Sequence, residues 1–190
     1  MANDYFGPDR LYRNNRNGSF TEVSRDVLPH TPWTSMGADA ADFNGDGLID
    51  LVGTDMSGTT HYQRMIDMID VEKSAWFLEH PEPRQYMRNA LFFNTGMDRF
   101  LEAAYLAGFA HTDWTWSVIA GDLDNDTRVD IFIPNGMTRN WMDVDLATRA
   151  KALPPEDFAS FWRAQPVRAD TNLVFRNLGD FRFQSVGSAW

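Results

Sequence analysis

Short stretches in which apolar residues alternate with polar ones recur along the chain, each closed by Gly, Asn or Asp. Val129, Ile131 and Ile133 fall on one side of such a stretch and Asp130 and Phe132 on the other, the period of a β-strand. Three decapeptides share one pattern: LYRNNRNGSF at 11–20, LFFNTGMDRF at 91–100 and VFRNLGDFRF at 174–183. All end in Phe, and Asn14, Asn94 and Asn177 share an offset, spaced by 80 and 83 residues. Each predicts a β-hairpin, with Asn17-Gly18 the strongest short turn signal among them. Between them lies a second repeated element, DFNGDGLIDL from Asp42 and DLDNDTRVDI from Asp122, again 80 residues apart. It reads as strand, acidic loop, strand.

Two hairpins per period make a four-stranded sheet of the size of a propeller blade. The expected fold class is therefore mainly β, a partial β-propeller of about two and a half blades with helical insertions. An open sandwich of unrelated hairpins is the competing reading, and it gives no reason for a fixed period. The expected boundaries are repeat 1 at 10–88, repeat 2 at 89–171, and the truncated start of repeat 3 at 172–190. So few blades cannot close a ring, which predicts a fragment whose sheet edges await further blades of a parent chain.

Each period carries its excess length after the acidic hairpin, at 59–88 and 137–171. Tyr62, Met65, Ile66, Met68 and Ile69 recur with helical spacing, and Pro154-Pro155-Glu156-Asp157 before Phe158, Phe161 and Trp162 has a proline start and an acidic first turn. Helical insertions at a fixed point of a repeat either build a binding face or cover neighbouring sheet edges.

Composition narrows the classes. With 43% hydrophobic residues, 14 Phe and 7 Trp in 190 residues, the chain can bury a core and is not disordered throughout. A net charge of −10 argues against nucleic acid or an anionic membrane as partner. No apolar run is long enough for a membrane span, and the polar first fifteen residues do not read as a secretory signal. The absence of cysteine removes disulfides, thiolate metal sites and cysteine nucleophiles.

Much of the negative charge sits in the two acidic loops. Asp42, Asn44, Asp46 and Asp50 hold positions 1, 3, 5 and 9 of the first, with the Leu48 carbonyl at position 7. Asp122, Asp124, Asp126 and Asp130, with the Arg128 carbonyl, repeat the arrangement. Hard oxygen donors at alternate positions, without nitrogen or sulfur, suit Ca²⁺. Two carboxylates 4 to 5 Å apart repel by roughly 3 to 4 kcal/mol at an effective dielectric of 20, so several packed together require a counter-ion. Two calcium sites are expected, the second weaker, because Thr127 replaces Gly47 and Arg128 adds positive charge. An EF-hand does not fit: position 12 is Gly53 or Ile133 instead of Glu, and strands rather than helices flank the loops.

LYRNNRNGSFTEV, SMGADAADFNGDGLIDLVGTDM, RQYMRNALFFNTG and TDWTWSVIAGDLDNDTRVDIFIPNG together resemble the FG-GAP or VCBS-repeat proteins of bacteria, in particular the cartilage acidic protein type that often ends in an ASPIC/UnbV module. The likeness runs over nearly all of residues 10–190. It implies a propeller similar to that of integrin α subunits, with calcium held by Asp42 to Asp50 and Asp122 to Asp130, displayed outside the cytoplasm. Thr127 departs from the pattern, as does the lack of a signal sequence and of that module.

Other chemistry is sparse. His30, His61, His80 and His111 lack metal or protease spacing, no nucleophile elbow or phosphate loop occurs, and Glu79, Glu82, Glu156 and Asp157 are the remaining acid or base candidates. Trp114 and Trp116 read as packing between blades, whereas Trp141 follows a strand end and suits a contact surface. The leading expectation is a calcium-binding extracellular scaffold for a protein or glycan ligand, without catalysis. The alternative is a carbohydrate lyase or dehydratase whose site is built from the insertions. Loops of this kind fill at extracellular calcium levels, which favours an exported protein.

Overall fold

The computed structural model describes residues 1–4, 7–67 and 82–187. Two four-stranded antiparallel sheets form its body. The first runs in the order β4 (Gly37–Ala41), β5 (Asp50–Thr54), β8 (Ala90–Asn94), β9 (Phe100–Glu102). The second runs β11 (Ile119–Gly121), β12 (Asp130–Ile133), β13 (Leu173–Asn177), β14 (Phe183–Ser185). The first hairpin, β1 (Tyr12–Asn14) with β2 (Phe20–Glu22), forms a two-stranded sheet of its own. Short pairs join β3 (His30–Pro32) to β7 (Arg84–Tyr86) and β6 (Met56–Ser57) to β10 (Asp113–Trp114).

The three aromatic hairpins share one register: Asn14 faces Phe20, Asn94 faces Phe100 and Asn177 faces Phe183. In the acidic hairpins Ala41 faces Asp50 and Gly121 faces Asp130. Each complete sheet joins an acidic hairpin to the aromatic hairpin that follows it, so the sheets are phased one hairpin later than the period read from Leu11. The architecture is thus mainly β, built from repeated antiparallel sheets.

Strand alternation explains how the sheets stack. Val52, Leu91 and Phe93 on one face of the first sheet meet Ile131, Ile133 and Phe175 of the second in one core, together with Phe109. Each fully buried Ile or Phe there contributes about 1.5 to 3 kcal/mol relative to exposure. The opposite face offers Ala90 and Phe92 to Leu28, with Leu11 and Val27 packed alongside. Strands β4 and β11 run side by side, and the approach is close: a Cβ at Gly37 would lie 2.8 Å from Ser117 Cα. Single-turn helices α1 (Ser24–Val27) and α3 (Ala104–Ala107) follow the aromatic hairpins at equivalent positions.

The insertions contain the longer helices. In the first, α2 (His61–Ile66) starts at a capping box in which Thr60 accepts from Gln63 N–H; the helical pattern continuing to Met68 and Ile69 lies outside the described residues. In the second, Asp143 caps α4 (Val144–Lys151) by accepting from Asp145 and Leu146 N–H, and Pro155 opens α5 (Pro155–Ala164). Among the described residues no helix is long and apolar enough to cross a membrane.

Candidate metal loops

In the first loop Asp42 takes three backbone donors, Gly45 and Asp46 N–H on Oδ1 and Gly47 N–H on Oδ2. Asn44 Oδ1 accepts from Asp46 N–H, and Asp46 Oδ1 accepts from Leu48 N–H. Gly45 and Gly47 supply the positive φ angles, +76° and +84°, that wrap the loop around these carboxylates. The second loop copies the design: Asp122 accepts from Asp126 and Thr127 N–H, Asp124 from Asp126 N–H, and Asp126 from Arg128 N–H. Here Asn125 and Thr127 adopt φ of 60° and 73°, so a β-branched residue sits where glycine is free.

The position 9 residues lie beneath. Asp50 and Asp130 are fully buried. Asp50 accepts from Phe43 N–H on Oδ2 at 2.9 Å and from Asn94 N–H on Oδ1 at 2.8 Å. Asp130 does the same with Leu123 at 3.0 Å and Asn177 at 2.8 Å. Each carboxylate therefore ties its own loop to the next hairpin. Asn94 and Asn177 complete the tie by donating to the Ile49 and Val129 carbonyls while their own carbonyls cap the hairpin turn at Gly96 and Gly179. Burial pushes the Asp50 carboxyl up; the two amides oppose that, and the charges of Asp46 and Asp42 add to it.

Charge balance separates the loops. Arg128 pairs with Asp126 and also donates to the Asn177 carbonyl at 2.8 Å. Arg176 reaches Asp124 at 2.6 Å and Asp126 at 3.4 Å. The Arg128 N–H bond, ahead of these guanidinium charges, holds the Asp126 carboxyl below its usual range. At the equivalent places the first loop has Leu48 and Phe93, which offer no charge. The donor set nevertheless suits a hard cation: Asp122, Asp124 and Asp130 each present a carboxylate oxygen, all within 4.8 Å of one another. The first loop has Asn44 in place of one of those carboxylates.

A second repeated network, at the far end of β5 and β12, escaped the sequence reading. His30-Thr31-Pro32-Trp33-Thr34 and His111-Thr112-Asp113-Trp114-Thr115 are 81 residues apart, and this HTxWT pair was the available signal. Buried Asp55 accepts from Trp33, Thr34 and Met56 N–H and from the Thr34 hydroxyl. Its own N–H donates to Asn89 at 2.8 Å. In the second copy Asn135 accepts from Thr115 and donates its N–H to Asn172 at 3.0 Å. Burial pushes the Asp55 carboxyl up to about 6 despite the four donors.

The remaining candidates do not converge. Glu79 and His80 lie outside the described residues; Glu82 pairs with Arg25, and Glu156 and Asp157 occupy the exposed first turn of α5. His30 and Arg88 hold the half-buried Glu102, at 3.2 and 2.7 Å. His111 bonds Ser57 at 2.7 Å, and burial followed by the charges of Arg64 and Arg88 pushes its pKa down. Trp114 and Trp116 stack edge to face at 6.2 Å, but Trp116 remains half exposed because its ring lies over the Gly136 turn and donates there.

The sequence profile described as an FG-GAP-like repeat matches residues 1–53, which take in the first hairpin and the first acidic loop. That match suggests an integrin-like β-propeller scaffold. No curated protein matches the chain.

Proposed function

We propose that this chain is a calcium-stabilised repeat scaffold of the β-propeller kind that works outside the cytoplasm, offers its insertions to a protein or glycan, and catalyses nothing. The observation that carries the reading is the recurrence of a whole loop-and-latch unit, with Asp50 on Asn94 and Asp130 on Asn177 at the same 2.8 Å. Asp42, Asn44, Asp46, the Leu48 carbonyl and Asp50 would hold one ion; Asp122, Asp124, Asp126, the Arg128 carbonyl and Asp130 would hold the other. The ion supplies charge neutralisation and nothing more. The second site is the weaker, since Arg128 and Arg176 already engage its carboxylates.

Further repeats are the proposed structural partners. Arg10 and Met1 exchange both backbone hydrogen bonds, Arg10 standing where Ala90 and Leu173 pair with β5 and β12 in the complete sheets. Leu11 and Tyr12 have no such strand beside them among the described residues. At the other end of the stack Ile119 is 52% exposed on the second sheet. Calorimetric titration with calcium tests the proposal: two binding events are expected, with Asp42→Asn abolishing the tighter one. Absence of any binding heat at millimolar calcium would end it.

A further inference from the structure

The second insertion encloses a groove of about 400 Å³ between the segment after β12 and helix α5. Its floor is aromatic. Trp141 and Trp162 lie 4.6 Å apart at 41°, and Phe158 meets Trp162 edge to face at 6.4 Å. Trp141 and Phe158 are nearly half exposed, 45% and 46%, so these rings present a wet apolar platform instead of closing a core.

Two polar features point to a ligand. Trp162 is only 5% exposed, yet its indole N–H has no partner among the described residues, and Arg139 Nε–H is likewise unpaired. Buried donors left unpaired are rare and costly, and an incoming acceptor would relieve them. The groove is also cationic. Among the described residues Arg139 and Arg163 line it and no carboxylate does, in a chain with 27 acidic and 17 basic residues. Among the described residues the guanidinium of Arg139 meets only the carbonyls of Thr138 and Arg163, and neither arginine has a carboxylate partner.

We infer that this groove binds a saccharide carrying carboxylates, a uronate-containing glycan, whose sugar faces stack on Trp141 and Phe158 while its carboxylate meets Arg139 and Arg163. An acidic peptide fits less well: it would match the charge but would bring unpaired backbone groups to a groove bounded by a helix and a loop, without a sheet edge to receive them. The inference takes from the scaffold reading only that the insertions form a binding face, and it needs no metal in the acidic loops.

The test uses the whole chain with an array of uronate-containing oligosaccharides, neutral oligosaccharides of the same lengths, and polyglutamate, each with calcium and with chelator. Uronate oligosaccharides should bind and quench tryptophan fluorescence, in chelator as well as in calcium. Trp141→Ala should weaken them roughly tenfold, and Arg163→Gln should weaken uronate binding while sparing any neutral binding, both variants melting like the parent. Binding to no uronate member, equal binding of neutral sugars, or equal binding of polyglutamate overturns the inference. Calcium-independent binding leaves it standing even if the metal reading fails.

Discussion

Asp130 Oδ1 accepts the backbone N–H of Asn177 at 2.8 Å from across a sheet, 47 residues away in sequence, while its Oδ2 holds the start of its own loop. Asp50 and Asn94 repeat the relationship across 44 residues. A single buried carboxylate thus links an acidic loop to an aromatic hairpin that arrives only after a helical insertion.

Asp130→Ala strands two amides at once, the buried N–H of Asn177 and the part-buried N–H of Leu123. It should cost about 2 to 4 kcal/mol in urea denaturation, since both donors lose their bond and the Asn177 N–H stays out of water. A cost near 0.5 kcal/mol, ordinary for a surface change, would show that the latch bears no weight.

Thr127 holds a φ of 73° at the place where the first loop has Gly47. Thr127→Gly removes the left-handed strain but loosens the unfolded chain. The net expectation is stabilisation by about 0.5 to 1 kcal/mol. Gly47→Thr should shift stability the opposite way, and equal melting of parent and both variants would contradict the argument.

Asp55 sets a pH signature. Its folded pKa, about 6, lies above the ordinary 3.8, so between those values the folded state binds more protons than the unfolded one. Its contribution to stability is therefore full below pH 4 and is lost as pH rises to 6. The loss is on the order of 3 kcal/mol. Glu102 acts in the other sense. Burial raises it, but His30, Arg88 and the Ala104 N–H more than offset that and hold it at about 2, so its contribution is full above its ordinary 4.5 and is lost as pH falls from there to about 2. Urea midpoints measured from pH 4 to 7 should decline in the parent and decline less in Asp55→Asn, the residue type that the second copy already has at Asn135. A decline preserved in full in the variant would assign the effect elsewhere.

Arg176 competes with any cation for Asp124 and Asp126. Replacing it with the apolar type found at Phe93, as Arg176→Leu, should raise calcium affinity at the second loop roughly tenfold. Calorimetric titration reads this directly, and unchanged or weaker affinity would mean that the arginine does not oppose the ion.

The repeat was legible because side-chain identities recur with it: Asn14, Asn94 and Asn177 cap the same turn, and the alternate acids mark the loops. Legibility ended where contacts cross the insertions. Asp50 reads from spacing as one more loop acid, whereas its burial and its bond to Asn94 depend on a strand pairing that no local pattern encodes. The phase of the sheets was hidden for the same reason, since adjacency in sequence favours the hairpin before an acidic loop over the one after its insertion. The HTxWT pair was visible, but its meaning rests on Asp55 and Asn135, which differ in charge while holding the same position in the network.

The most direct measurement is differential scanning calorimetry of the parent and of an Asp42→Asn, Asp122→Asn double variant, in millimolar calcium and in chelator. The account predicts a melting temperature that rises with calcium in the parent and does not move in the double variant. Identical melting of the parent with and without the ion would contradict it.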